Sequence, residues 1–300
     1  MVYYMFTIKV TQYYNYLLML QIKYKTIWLA SYPKSGNTWF RIFLTNYINN
    51  SDIPASINDL ERTPIASSRW HFDQLYGIDS ADLYLDEIDS MRPALYDSWK
   101  ENENMQFHKV HDAYTYVGDR PLLGNPTNQA AIYLIRNPLD VAISFAHHSG
   151  YEDINKIIKE MADDDFTLCG TGKTMPNQLR QKHLSWSNHV KSWENAPIDK
   201  LFLRYEDMVA NPIKEFGKAI EFLGMELDQA RLEKAVEFSS FENLKKQEQE
   251  NGFQEKAPNA KSFFRKGKVS DYLETLTQEQ INKITQDHKE VMLKYGFIKL

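Results

Sequence analysis

A single cysteine, Cys169, stands among 300 residues. No disulfide can close within the chain, and a reducing compartment is the simplest inference. The eight histidines do not fall at the spacings of a zinc site, so no metal is expected. Lysine and arginine number 35 against 40 aspartates and glutamates, a formal charge of −5. A chain without a basic excess suits neither nucleic acid nor an anionic membrane surface, and any anion site must be local. No run approaches the roughly 20 apolar residues that span a bilayer. The tyrosine-rich start, MVYYMFTIKVTQYYNYLLMLQIKYK, has only YLLML as its apolar heart, with no small-residue cleavage site behind it. A soluble cytoplasmic protein is the expectation. Repeats and low-complexity tracts are missing as well.

What is present reads as one α/β domain over 25–300. Residues 1–24 form an extension, disordered or a start-site artefact, because Met19 leads straight into a compact entry to the first strand. Deleting 1–18 is expected to leave folding and activity intact. Ile27 to Ser31 is short, apolar and bulky, a buried strand. Trp39, Phe40, Phe43, Leu44, Tyr47 and Ile48 then recur at helical spacing. A second unit follows, with Ala130 to Ile135 as strand and Pro138 in a first helical turn, where its missing N–H is harmless. KLFLRYED is a third strand candidate, followed by a Pro-started helix that stops near Gly224. Strand followed by helix, repeated, predicts a central parallel sheet with helices on both faces. A last helix opens on a capping box of Thr277 and Gln280. Segments 50–70, 118–129, 163–180 and 248–262 are the most loop-like, and one of them is a candidate lid.

The stretch YPKSGNTW, Tyr32 to Trp39, sits at the first crossing from strand to helix. A helix entry exposes unpaired N–H groups at the positive end of the helix dipole, and Lys34, Ser35 and Thr38 add charge and hydroxyl donors. Phosphate is the natural guest. The nucleotide-triphosphate loop G-x-x-x-x-G-K-[ST] places its lysine after the last glycine, whereas Lys34 precedes Gly36, and no G-x-G-x-x-G occurs here. Taken alone, the stretch would equally be a polar turn in which Thr38 caps the helix.

Together, YPKSGNTW, RNPLDVAISF, LFLRYEDM and FFRKGKVSDY, in that order, resemble the cytosolic-type sulfotransferases. SWSNHVKSWE and SSFENLKK extend the resemblance, which runs from about Ile27 to Thr277. It implies a P-loop-like phosphate site and the cofactor 3′-phosphoadenosine 5′-phosphosulfate (PAPS), with the 3′,5′-bisphosphate (PAP) as product. Lys34, Ser35, Gly36, Asn37, Thr38 and Trp39 look like the loop that holds the 5′-phosphosulfate, with Trp39 also against the adenine. Arg136 and Ser144 look like the grip on the 3′-phosphate, and Arg265, Lys266 and Gly267 like its second clamp. Tyr205, Ser239 and Phe241 fall where the family contacts adenine. Read without the resemblance, Arg136 is a strand-end ion-pair residue, Ser144 a packing residue, and Tyr205 and Phe241 are core aromatics.

His111, in FHKVHDAY, matches the family's catalytic histidine, two residues after Lys109. If the segment is a strand, Lys109 and His111 share one face and His108 points away. The implied reaction is an in-line displacement. His111 takes the proton of the acceptor hydroxyl, Lys34 stabilises the leaving phosphate oxygen, and Lys109 contacts the sulfuryl oxygens. The family pattern also has Ser144 holding Lys34 away until the acceptor arrives. The acceptor is expected to be a small apolar alcohol, steroid or phenol.

The chain departs from the family pattern at Asn37, where threonine is usual, and at Ser270 and Tyr272, where glycine and tryptophan are common. The family's dimer segment is not matched, so that dimer is not inferred. Residues 51–105 match poorly but carry Trp70, His71, Phe72, Tyr76, Tyr84, Tyr96 and Trp99. Part of the acceptor site is expected there, with Tyr114, Phe145, His147 and His148 near its mouth. The rival readings are a nucleotide-dependent kinase and a non-catalytic nucleotide-binding protein.

Overall fold

The computed structural model describes residues 23–101, 104–170, 175–257, 260 and 262–299. The expected N-terminal extension thus lies, apart from its last two residues, outside the described residues. Strands β1 (Thr26–Ser31), β2 (Gln106–Val110), β3 (Gln129–Ile135) and β4 (Asp199–Arg204) form one sheet in the order β2-β1-β3-β4, and every pairing is parallel. The helices that cover and follow it include α1 (Asn37–Asn49), α2 (Leu85–Ser98), α3 (Pro138–Ser149), α4 (Trp186–Glu194), α5 (Pro212–Phe222), α6 (Gln229–Phe238), α7 (Phe241–Asn251) and α8 (Gln278–Lys294).

β1 and β3 are buried along their whole length, as a parallel sheet covered on both faces requires. Their alternation sends side chains into two separate cores. Trp28, Ala30, Ala131 and Tyr133 pack with Val141 of α3, Trp193 of α4 and Val291 of α8. Ile27, Leu29, Ala130 and Ile132 pack with Phe40 and Phe43 of α1, Phe216 of α5 and Leu232 of α6. Phe43 and Phe216 stack at 4.2 Å between ring centroids.

Local signals set the element ends. Asn137 accepts from the Leu139 N–H ahead of Pro138, and the Thr277–Gln280 capping box is closed in both directions. Gly224, just beyond α5, takes a φ of +69°. The third strand differs from KLFLRYED: it ends at Arg204, and a short helix, Tyr205–Ala210, starts at once, with Glu206 and Asp207 in its first turn where the helix dipole favours acids. The loop expected from 248 begins only after Asn251, where α7 ends.

The register matters for function. Leu29 pairs with Lys109, Ala30 with Val110, and Ser31 with Leu134. The carboxyl ends of β1, β2 and β3 are therefore level, and their exits, at 32–36, 111–113 and 136–137, open side by side on one sheet edge, the usual place for a ligand in an open α/β sheet.

Candidate active site

The exit of β1 is a tight turn. Lys34 has φ +68° and Gly36 φ +101°, and Gly36 serves as N-cap of α1. A Cβ on Gly36 would stand 2.8 Å from the Tyr205 ring, so the glycine provides both the backbone angle and the close approach. Ser35 is fully buried and its hydroxyl has no partner. That hydroxyl stands one residue before the Gly36 cap of α1, and Ser35 is not among the residues lining the adjoining cavity. Asn37 does not offer its amide to a bound anion: Nδ2 donates to the Leu29 carbonyl at 2.8 Å and to the Ser31 hydroxyl at 3.2 Å, bracing the strand end. Thr38 lies one residue inside α1 and Gly36 occupies the cap, so Thr38 is not the capping residue.

The Lys34 ammonium lies 4.0 Å from the centroid of Phe263. Burial, then the neighbouring Lys109 and Arg136 charges, push its pKa down to about 7. Arg136, at the end of β3, donates to the Lys34 carbonyl at 3.1 Å and to the Lys268 carbonyl at 3.3 Å, and lies 4.3 Å over the Tyr205 ring. Its buried Nε has no partner. Arg265 and Lys266 both bind Asp271, Lys266 at 2.5 Å. Gly267, at φ +60°, packs flat on Phe241, where a Cβ would come within 2.5 Å of the ring. Two glycine cradles and the side chains of Lys34, Arg136, Arg265 and Lys266 thus border one space.

That space is a cavity of about 1100 Å³ lined by Lys34, Gly36, Trp39, Arg136, Ser144, Tyr205, Phe241, Arg265, Lys266 and Gly267, with Lys109 and His111 on the same wall system. It exceeds the range of roughly 300–1,000 Å³ usual for one small ligand. Trp39 packs edge-on to Tyr205 and Phe216.

His111 follows the last residue of β2. Its Nδ1 is 2.9 Å from the Ser31 carbonyl, which only accepts, so the ring hydrogen is assigned to Nδ1 and Nε2 keeps its lone pair. Burial, followed by the Lys109 charge, holds the imidazole well below its ordinary pKa, which keeps it in the basic form. Ser31 also receives Asn37, so the imidazole and the cation loop share one brace. On the other side, His189 of α4 contacts the His111 carbonyl at 3.1 Å, and Asp112 is held by Arg92 of α2 at 2.8 Å, both side chains fully buried. Lys109 pairs with Glu255 at 3.0 Å. His108 does face away, stacked 4.0 Å from Trp99.

Other expected residues fall elsewhere. The Ser239 hydroxyl donates to the Ala235 carbonyl at 2.8 Å at the end of α6, fully buried, and the cavity is lined by Ser240 instead. A serine ending a helix finds the open carbonyl of the preceding turn within easier reach than a ligand. None of the seven aromatic and histidine residues singled out between 70 and 99 lines the cavity: Phe72 and Tyr96 are core, and Trp70 and Tyr84 are 64% and 82% exposed. From the poorly matching segment it is Asn58, Leu60, Glu61, Pro64 and Ile65 that reach the cavity. Phe145 and His148 line it, whereas Tyr114 packs on Trp193 and, like His147, lies outside the lining. Arg41, Glu255, Asp271 and His189 escaped the sequence reading. Asp271 had a signal, a lone acid five residues after Lys266 in FFRKGKVSDY.

A parallel sheet whose strand exits open on one cavity lined by cations, Gly36 and His111 is the arrangement of an α/β protein that holds an anionic ligand. The sulfotransferase domain family matches residues 24–296, and the chain belongs to that family of PAPS-dependent enzymes. The chain is 27% identical to sulfotransferase 1B1 of the dog, Canis lupus familiaris, over 88% of its own length and 82% of the relative's. It is 28% identical to cytosolic sulfotransferase 1 of Arabidopsis thaliana, over 90% and 79%. Among solved structures, mouse sulfotransferase SULT7A1 complexed with PAP shares the fold with a TM-score of 0.56 at 21% identity, over 89% and 84% of the two chains.

Proposed function

We propose that this sulfotransferase moves the sulfuryl group of PAPS to the hydroxyl of a small apolar alcohol, steroid or phenol, in the cytoplasm, with His111 as base and no metal. The observation that carries the reading is the lone pair on His111 Nε2 in the same cavity as the cations of the β1 and β3 exits. Bound PAPS supplies a sulfuryl group already activated by its anhydride link to phosphate. Lys34, Ser35 and the N–H groups opening α1 receive the 5′ end. Arg136, Arg265 and Lys266 receive the 3′-phosphate, which replaces Asp271 as the anion on that clamp. Trp39, Tyr205 and Phe241 provide the aromatic seat for adenine. Ser144 lies half-buried on the same cavity wall and reaches the same anion region.

In the transfer step His111 Nε2 takes the hydroxyl proton while Lys34 neutralises charge on the leaving phosphate oxygen and Lys109 holds the sulfuryl oxygens. Positioning and fixed charge do the catalysis, as in phosphoryl transfer, and attack proceeds in line. Ile65, Phe145, Leu168 and Phe263 give the acceptor an apolar seat. The working unit is residues 25–300, with 1–18 dispensable for folding and turnover.

A panel of phenols and steroids supplied with PAPS tests the acceptor, and calorimetry with PAP against ATP tests the carrier. Sulfated product and preference for PAP support the reading. ATP preference, or transfer confined to strongly polar acceptors, overturns it.

A further inference from the structure

The cavity contains a carboxylate for which the reaction just described has no role. Glu255, in the segment after α7, receives Lys109 Nζ on Oε2 at 3.0 Å and Arg41 Nη1 on Oε1 at 2.7 Å. Arg41 belongs to α1, one turn into the helix that opens on the cation loop. Its guanidinium is only 2% exposed and is itself fixed: Nε donates to the Thr63 hydroxyl and Nη2 to the Thr63 carbonyl, both at 2.9 Å. The Lys109 backbone is fixed too, donating to the Pro64 carbonyl at 2.9 Å and accepting from the Ala66 N–H at 2.8 Å. Every member of the series Thr63, Arg41, Glu255, Lys109 is therefore held except the lysine tip, and Glu255 holds that.

We propose that Glu255 is a positioning residue for sulfuryl transfer, aiming the Lys109 ammonium by a carboxylate anchored on Arg41. The proposal rests on the role given to Lys109 above. An ammonium has three N–H donors. One is taken by Glu255, which leaves two for the paired oxygens of a sulfuryl group. A flexible four-carbon stem has many rotamers, and a fixed carboxylate selects among them before the acceptor arrives.

The charge argument runs the same way. Burial lowers the Lys109 pKa, Arg41 lowers it further, and Glu255 is the neighbour that raises it. Glu255 is itself held down to about 2 by Lys109 and Arg41 against the opposing effect of burial. Lys34 from the β1 exit, His111 beyond β2 and His148 of α3 feel the Lys109 charge across the cavity. Without Glu255 the lysine stands among cations alone, and it loses its proton at lower pH.

The test is Glu255→Gln, which keeps size and an oxygen for Arg41. Three quantities are measured on wild type and variant: kcat with PAPS and a phenol, PAP affinity, and the pH titration of the Lys109 Cε resonance in protein carrying ¹³C-labelled lysine. The expected result is a loss of kcat by up to about a hundredfold, with PAP affinity unchanged. The alkaline limb of kcat and the Lys109 resonance should both titrate at lower pH. Wild-type kcat with an unmoved resonance overturns the proposal. If the variant gives no folded protein, Glu255→Asp carries the same test, since it keeps the charge but shortens the carboxylate's reach to Lys109 by one methylene. Should wild type transfer no sulfuryl group, the sulfuryl-transfer reading fails, and the resonance alone still decides for or against the Glu255–Lys109 pairing.

Discussion

Arg136 donates from Nη1 to the main-chain carbonyl of Lys34 at 3.1 Å, so the two crossings from sheet to helix are joined directly. The same guanidinium reaches the Lys268 carbonyl and lies on the Tyr205 ring, which brings the third loop and the aromatic seat to one charge. Removing it loosens three segments at once and, in the proposed reading, takes a charge-assisted donor from the phosphate. Arg136→Ala should weaken PAP binding by roughly ten- to a hundredfold, the equivalent of about 1.5–3 kcal/mol. Arg136→Lys should recover only part, because lysine keeps the charge without the planar fork. Calorimetric titration with PAP checks both.

His111 Nδ1 contacts Ser31 at the end of β1, and its ring is not among the groups proposed to receive phosphate. His111→Ala should therefore keep PAP affinity while turnover falls by roughly 10²–10⁴, the usual worth of a general base. Single-turnover kinetics alongside PAP titration separates the two effects. Unchanged turnover would remove the base from the mechanism.

How much of this was legible beforehand depends on where a residue's partners lie in the chain. β1 and β3 announce themselves because a strand buried on both faces must be apolar throughout, and Pro138 and the Thr277–Gln280 box mark helix starts through chemistry confined to one turn. Lys34, Arg136 and the Arg265 stretch were legible as ordered motifs. Glu255 was not: it is 146 positions from Lys109 and 214 from Arg41, and nothing local distinguishes it from a surface acid. The aromatics between 70 and 99 misled for the complementary reason. An aromatic side chain satisfies a core, a surface or a ligand wall equally well, and only packing decides, as Trp99 on His108 and Tyr96 on Trp28 show.

The depressed pKa of Lys34 gives a binding signature. At about pH 8 the free lysine, at about 7, is mostly neutral, and a phosphate placed beside it favours the ammonium. PAP binding should then take up close to one proton from buffer. Below about pH 6 the lysine already carries its charge, and the uptake should vanish. Calorimetry in two buffers of different ionisation enthalpy measures it, and Lys34→Met should abolish it. Equal observed enthalpies in both buffers at the higher pH would rule out the neutral lysine.

Buried imidazoles should set the acid limit of the fold. His108, His183 and His189 are pushed down to about 3 and His288 to about 4, in each case chiefly by burial. In the unfolded chain they titrate near 6.5. Below that value the unfolded state binds more protons, so stability is fully present above about pH 6.5 and drains as pH falls toward the folded values. Each histidine contributes at most about 2 kcal/mol of loss between pH 6.5 and 5. Urea midpoints should drop steeply over that interval. His108 isolates the cause, because neither ring nitrogen has a partner and the ring lies flat on Trp99, turned away from the cavity. His108→Phe should fold, keep its turnover, and lose one histidine's share of the acid sensitivity. An unchanged difference between the pH 7 and pH 5 midpoints in that variant would show that burial of the imidazole is not what limits the fold.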